Sequence, residues 1–252
     1  MKKIIAIVNQ KGGVGKTTTA VNLASAMGLY ERKTLLIDFD PQGNTSSGLG
    51  IEKEQLDLHI YDVLINKAEA KDAIKKTSIK YLDIIPSNID LTGAEIELVK
   101  EFARENKLKE ALKPILDSYE YILIDCPPSL GLLTINALTA STDVLIPIQC
   151  EYYALEGVSQ LLNTIRLIRK NLNPDLNILG VVMTMYDKRL NLSFQVAKEV
   201  RRYFQEKIFE TVIYRNVKLG EAPSFGKPIF HYDISSMGAK NYLQLATEVL
   251  AR

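Results

Sequence analysis

Apolar and polar positions along this chain of 252 residues follow two different periods. Short aliphatic and β-branched runs at residues 4–8, 34–37, 82–85, 121–124, 144–148 and 178–183 have the length and composition of buried strands. Between the last two runs, residues 155–172 place Leu155, Val158, Leu161, Leu162, Ile165 and Ile168 at helical spacing. A segment starting near Lys16 does the same with Ala20, Leu23, Ala24 and Met27. Strands without a polar face, alternating with helices, predict a mostly parallel sheet covered on both sides. The expected fold class is therefore α/β: a three-layer α/β/α arrangement around a mostly parallel twisted sheet, in one domain over residues 1–252. In such sheets ligands sit at the carboxyl ends of the strands. Residues 51–80 carry the weakest periodicity and are expected to form short helices capping that side.

Composition changes the picture only at its edges. With 46% hydrophobic and 24% charged residues, a chain of this length can bury a full core. No apolar run approaches the roughly 20 residues of a membrane span, and the N-terminus reads as a strand, so a cytoplasmic protein is expected. The two cysteines, Cys126 and Cys150, each end an apolar run and lack metal-ligand spacing, which predicts small core residues. His59 and His231 form no pair and read as surface or helix-end residues. The net charge is +1, from 31 basic and 30 acidic residues, so overall charge does not point to nucleic acid.

Chemistry concentrates after the first strand, in Lys11-Gly12-Gly13-Val14-Gly15-Lys16-Thr17-Thr18. Glycines let a loop turn with positive φ and come close to phosphate oxygens, while successive N–H groups cradle the anion. A helix beginning near Lys16 adds the positive end of its dipole; Lys16 can reach the β/γ-phosphates and the Thr17 hydroxyl can bind Mg²⁺. Lys11 is a second lysine where such loops normally carry one. Either it is a solvated loop lysine, or it points away from its own nucleotide towards another subunit's phosphates, which would make hydrolysis depend on dimerisation.

The pattern K-G-G-x-G-K-T-T resembles the deviant Walker A motif of the ParA/MinD group of P-loop ATPases. Asp38-Phe39-Asp40-Pro41-Gln42-Gly43-Asn44, Asp125-Cys126-Pro127-Pro128-Ser129-Leu130-Gly131, the 149–157 segment Gln149-Cys150-Glu151-Tyr152-Tyr153-Ala154-Leu155-Glu156-Gly157, and Pro223-Ser224-Phe225-Gly226-Lys227-Pro228 narrow the resemblance to ParA/Soj, the chromosome- and plasmid-partitioning ATPases. It runs over nearly the whole chain. The resemblance implies a P-loop ATPase that binds ATP and Mg²⁺ through residues 11–18, with Lys11, Lys16 and Asp40 in catalysis.

Asp125 ends an apolar run, where an unpaired carboxylate is costly and needs a cation or donors. Family resemblance makes it the Walker B acid, holding Mg²⁺ with Thr17. Asp38 and Asp40 close the second strand at i, i+2; resemblance alone orders them, Asp38 supporting the Mg²⁺ shell and Asp40 positioning the attacking water. Thr184, Asp187, Arg215 and Asn216 are placed after the last strands, near the adenine edge. Within Tyr214-Arg215-Asn216-Val217 the family's asparagine, here Asn216, contacts the base, although many relatives have proline where this chain has Tyr214.

Lys198, Arg201 and Arg202 share a face of the expected helix 192–204, near Lys188, Arg189, Arg215 and Lys218. A solvated mixed-charge face is the plain reading; relatives that bind DNA without sequence preference use positions matching Arg189 and Lys218. The resemblance thus implies an ATP-dependent homodimer on non-specific double-stranded DNA, associated with the nucleoid, with hydrolysis stimulated by a ParB-like centromere-binding partner. Two other readings stay open. A MinD-like ATPase would cycle on membranes through a basic amphipathic terminal helix, but residues 239–252 carry few basic residues and read as a packed helix, so no membrane partner is expected. A metabolic enzyme on the same scaffold would need a further substrate constellation, which is not visible.

Overall fold

The computed structural model describes residues 2–151 and 156–252. Strands β1 (Lys3–Ile7), β2 (Thr34–Asp38), β3 (Lys75–Lys76), β4 (Leu82–Ile85), β5 (Tyr121–Asp125), β6 (Asp143–Gln149), β7 (Asn177–Tyr186) and β8 (Ile208–Tyr214) make one sheet in the order β3-β4-β2-β5-β1-β6-β7-β8. All neighbours are parallel except β3, which runs antiparallel to β4. The α-helices among the described residues are α1 (Lys16–Leu29), α2 (Asn44–Gly48), α3 (Ile60–Leu64), α4 (Leu91–Glu97), α5 (Lys107–Leu112), α6 (Leu132–Ala140), α7 (Glu156–Asn171), α8 (Asn191–Phe204), α9 (Val217–Glu221), α10 (Ile229–Tyr232) and α11 (Met237–Ala251).

Strand alternation divides the core in two. Ile4, Ala6, Leu35, Ile37, Ile122 and Ile124 point to the face covered by α3 to α8, whereas Ile5, Ile7, Leu36 and Leu123 point to the face covered by α1, α10 and α11. Both faces are dry, which is why the strands read as continuous apolar runs. The predicted α/β class and parallel sheet are therefore observed, with strand ends at most three residues from the predicted ones.

Two strands escaped the sequence reading. Strand β3 is a two-residue edge piece, and β8 is an edge strand whose Glu210 breaks the apolar run. Residues 51–80 do more than cap the strand ends: Ile60, Val63 and Leu64 of α3 sit in the core on one sheet face, and β3 extends the sheet. His59 is a helix-end residue as expected, preceding α3, but it is buried beside Asp62 rather than at the surface.

Helix α11 buries Tyr242, Leu245, Ala246 and Val249, so its apolar face belongs to the chain's own core. Its Glu248 carboxylate accepts the backbone N–H groups of Glu210 (2.9 Å) and Thr211 (2.8 Å) on β8, and Arg252 donates to the carbonyls of Leu179 (2.7 Å) and Ile208 (2.8 Å). Register sets the chemistry: Ile7 of β1 and Asp38 of β2 are both opposite Asp125 of β5. Two carboxylates thus meet beside the loop that leaves β1.

Candidate active site

The loop after β1 is pinned from below. Asn9 donates to the Pro147 carbonyl (2.7 Å) and accepts the Lys11 N–H (3.0 Å), and Thr184 donates its hydroxyl to the Val14 carbonyl (2.7 Å). Gly13 and Gly15 have φ of 74° and 87°, a left-handed backbone that side chains disfavour. Helix α1 starts at Lys16 with Gly15 as its cap and no side-chain acceptor. Its first N–H groups therefore remain open to an anion, aided by the helix dipole. The Lys16 ammonium is buried and donates to the Lys11 carbonyl (3.0 Å); desolvation lowers its pKa, opposed by the charge of Asp125. A buried cation with a neutral acceptor is suited to receive a phosphate.

The acids lie at the neighbouring strand ends. Asp125 is fully buried; its Oδ2 accepts the hydroxyls of Thr17 (2.8 Å) and Thr45 (2.7 Å), while its Oδ1 has no partner among the described residues. Asp38, also fully buried, accepts the N–H (2.8 Å) and hydroxyl (2.6 Å) of Ser46 on Oδ2 and the Asp40 N–H (3.3 Å) on Oδ1. Burial pushes the Asp125 carboxyl up to about 6, and burial together with the charge of Asp125 pushes Asp38 up to about 7.

Such a pair calls for a cation. Thr17 gives its proton to Asp125, which keeps its lone pairs available, and Asp125 Oδ1 is an unclaimed hard donor, so the residues present fit Mg²⁺. Among the described residues no group of three or more His, Cys, Asp or Glu is placed to hold a metal ion. Asp40 accepts the Gln42 N–H (2.9 Å) on Oδ1, and among the described residues its Oδ2 is without a hydrogen-bond partner.

Lys11 sits on the loop with its ammonium directed to Glu151, at the end of β6, in an ion pair within the chain. Neither Glu151 in that role nor Thr45 and Ser46 as holders of the acids was foreseen; the hydroxyl run directly after the Asp38–Asp40 motif is the signal that could have found the latter two. Tyr152, Tyr153, Ala154 and Leu155 of the 149–157 motif lie outside the described residues. Cys126 and Cys150 are buried and unpaired, as expected for core residues.

A cavity of about 460 Å³ opens beside Gly15 and Thr18, walled by Ile213, Tyr214, Asn216 and Leu219. Asn216 caps α9 by accepting the Lys218 N–H (2.9 Å), which leaves its amide NH₂ for a ligand. Thr184, Arg215 and Asn216 line this cavity as expected, Thr184 from inside β7, where its hydroxyl also holds the loop, and Arg215 and Asn216 after β8, the strand that was missed; Asp187 differs, facing a neighbouring cavity.

Arg215 N–H donates to the Tyr186 carbonyl (3.0 Å), joining the ends of β7 and β8 and bringing the basic loops together. Arg189 is exposed and grips Asp187 with two nitrogens (2.9 and 2.6 Å), holding that carboxyl well below the usual range. Lys218 pairs with Glu221 (3.1 Å) and lies over the Tyr232 ring (5.5 Å). Lys198, Arg201 and Arg202 are exposed on α8, with Arg201 paired to Glu210 (3.3 Å).

Comparison with known proteins agrees with this geometry. A family model described as an AAA domain matches residues 2–178. The chain is 60% identical, over 100% of its length and 99% of the relative's, to the sporulation initiation inhibitor protein Soj of Bacillus subtilis. It is 54% identical, over 99% of its length and 88% of the relative's, to the chromosome partitioning protein ParA of Myxococcus xanthus. Among solved structures, cobyrinic acid a,c-diamide synthase from Mycobacterium smegmatis with bound ADP and magnesium superposes with a TM-score of 0.88 at 37% identity, covering 99% of this chain and 94% of that one.

Proposed function

The chain belongs to the ParA/Soj family of chromosome-partitioning ATPases, and on that premise we propose how its site hydrolyses ATP and what the hydrolysis controls. ATP is the substrate and Mg²⁺ the cofactor. Residues 11–18 hold the triphosphate, with Lys16 on the β/γ-phosphates and the open N-terminus of α1 behind it. Thr17, Asp125 and Asp38 hold the metal, which when bound neutralises charge developing on the phosphates. Asp40 orients the attacking water through its free Oδ2. Lys11 leaves Glu151 to reach the phosphates of a second copy, so that hydrolysis waits for a face-to-face dimer. Asn216 contacts the base.

The single observation that carries this reading is the under-satisfied acid pair: two fully buried carboxylates on adjoining strand ends, one with an orphan oxygen, beside an open glycine loop. Arg189 and Lys218, on neighbouring loops, are the proposed contacts to non-specific duplex DNA, and dimerisation doubles that patch and steepens its salt dependence. A ParB-like centromere-binding protein is the proposed stimulator, and the nucleoid the proposed location. Nucleotide drives DNA binding only as far as it favours the dimer.

The test is duplex binding with ADP, with ATP, and with ATP on Asp40→Ala, while the oligomeric state is followed. Tight, salt-sensitive binding only with ATP, kept in the variant, is the expected result. Dimerisation without DNA binding would overturn the partitioning role.

A further inference from the structure

The Pro223–Pro228 segment has no part in the chemistry so far, yet it occupies a distinctive position. Helix α9, whose Val217, Leu219, Gly220 and Glu221 wall the base cavity, runs directly into the turn Ala222–Phe225. That turn is closed by Gly226 N–H to the Pro223 carbonyl (3.0 Å), Lys227 N–H to the Ala222 carbonyl (3.3 Å) and the Ser224 hydroxyl to the Glu221 carbonyl (2.6 Å). Beyond it, Ile229 N–H is held by Asn22 of α1 (2.8 Å), whose amide also grips the Thr18 carbonyl (2.8 Å). The segment is thus fixed at both ends.

Its middle presses on α2. Gly226 (φ 61°) and Gly50 (φ 76°) meet backbone to backbone: a Cβ added to Gly226 would stand 2.9 Å from the Gly50 Cα, and one added to Gly50 would stand 3.0 Å from the Gly226 carbonyl oxygen. The Gly226 clearance is closer than a side chain tolerates against backbone, and the Gly50 one would make the facing carbonyl give way; with both backbones left-handed, glycine at each position meets conformation and contact together. Gly50 in turn closes α2, donating its N–H to the Ser47 carbonyl (3.0 Å). Two residues of α2, Thr45 and Ser46, are those that hold Asp125 and Asp38.

We propose that the Gly50–Gly226 contact is a mechanical link through which an occupied base cavity sets α2, and with it the buried acids, in the arrangement that hydrolysis needs. The glycines are positioning residues; they touch neither substrate nor metal. The ligand sensed is the adenine base, so the link rests on the reading of this site as an ATP site. It gives the chain a way to distinguish a full nucleotide from bare phosphate before chemistry. Rigid packed elements of this kind transmit a displacement because their backbones cannot yield separately.

The experiment compares hydrogen exchange of residues 44–50 and 11–18 with saturating magnesium pyrophosphate, which fills only the phosphate loop, and with magnesium ADP. Wild type, Gly226→Asn and Gly50→Asn are measured; asparagine tolerates the left-handed backbone, but its Cβ intrudes on the contact. In wild type, ADP should slow exchange at 44–50 by roughly five-fold or more beyond pyrophosphate, the low end of ordinary coupling between sites. The variants should keep ADP protection at 11–18, lose the margin at 44–50, and lose roughly 10–10²-fold in kcat with ADP affinity little changed. A wild type without the margin overturns the link even if neither variant folds, and a folded variant that retains it does the same. Absence of ADP protection at 11–18 in wild type would overturn both the link and the ATP site.

Discussion

Replacing Asp125 by Asn should make the nucleotide-free protein more stable while abolishing hydrolysis. Burial raises this carboxyl from 3.8 to about 6. Once the pH exceeds both values, the folded protein carries a penalty of about 3 kcal/mol that the unfolded chain lacks. The sign follows from which state ionises first: between pH 3.8 and about 6 the unfolded chain loses its proton while the folded one keeps it, so stability falls as pH rises and then levels off. Asparagine fits with little disturbance. Its carbonyl can accept both the Thr17 and Thr45 hydroxyls, as Oδ2 does now, and its NH₂ takes the place of the orphan Oδ1. An unsatisfied amide there costs about 1 kcal/mol or somewhat more. The net gain is about 1–2 kcal/mol at pH 8, which for a chain of this size raises Tm by about 2–8 °C. Removing the charge also relieves Asp38, whose carboxyl the Asp125 charge helps to raise. Thermal unfolding in chelator, followed by circular dichroism at pH 5, 6, 7 and 8, measures it. The gain should be largest at pH 7–8 and nearly vanish at pH 5, where the ionisation penalty is about half as large and the cost of the amide is unchanged. A variant less stable at pH 8, or a gain independent of pH, would refute the reasoning. With magnesium ADP the order should reverse, because wild type alone keeps the full metal donor set.

Lys11→Ala should fold and bind ADP as wild type does, since its pair with Glu151 is part-exposed and worth no more than about 1 kcal/mol, yet lose roughly 10³-fold or more in ATPase rate; a rate within a few-fold of wild type contradicts its role in trans. Asn216→Ser keeps a helix cap but removes the amide NH₂, so ADP affinity should fall about ten-fold with Tm nearly unchanged; unchanged affinity in titration calorimetry would leave Asn216 as a cap alone. Asp187→Ala frees Arg189 and removes a negative charge, so the ATP state should bind duplex DNA about two- to five-fold more tightly at low salt; weaker binding would move the interface elsewhere.

The phosphate loop was legible because its requirements are local: glycine where φ is positive, lysine and threonine at fixed offsets, an apolar strand immediately before. Asp38 and Asp125 were legible as strand-end acids, since a buried run that terminates in a carboxylate stands out. Their holders were not. Thr45 and Ser46 lie 80 and 8 residues from the acids they bind, in a polar stretch that reads as an ordinary turn. Strand β8 hid for a related reason: at a sheet edge one face tolerates Glu210, and the apolar signal weakens. Thr184 reaches the base cavity as expected, but from inside its strand, because β7 runs to Tyr186, three residues past the predicted end. Such features depend on what the chain meets after folding.

The side chains that close the two ends of the sheet have a consequence for solubility. An exposed strand edge is a template onto which another chain can add, and it is a common route to aggregation. One edge here is only two residues long and both are lysines, Lys75 and Lys76. At the other, Glu248 occupies the backbone N–H groups of Glu210 and Thr211 and Arg252 the carbonyl of Ile208, all on the edge strand β8. On the proposed reading, in which the chain pairs reversibly through its nucleotide face and gathers on DNA, a second, irreversible way of sticking to itself would be harmful. The last turn of α11 and Arg252 therefore cover part of the β8 edge, and truncating them should raise aggregation of the folded chain, measured by light scattering.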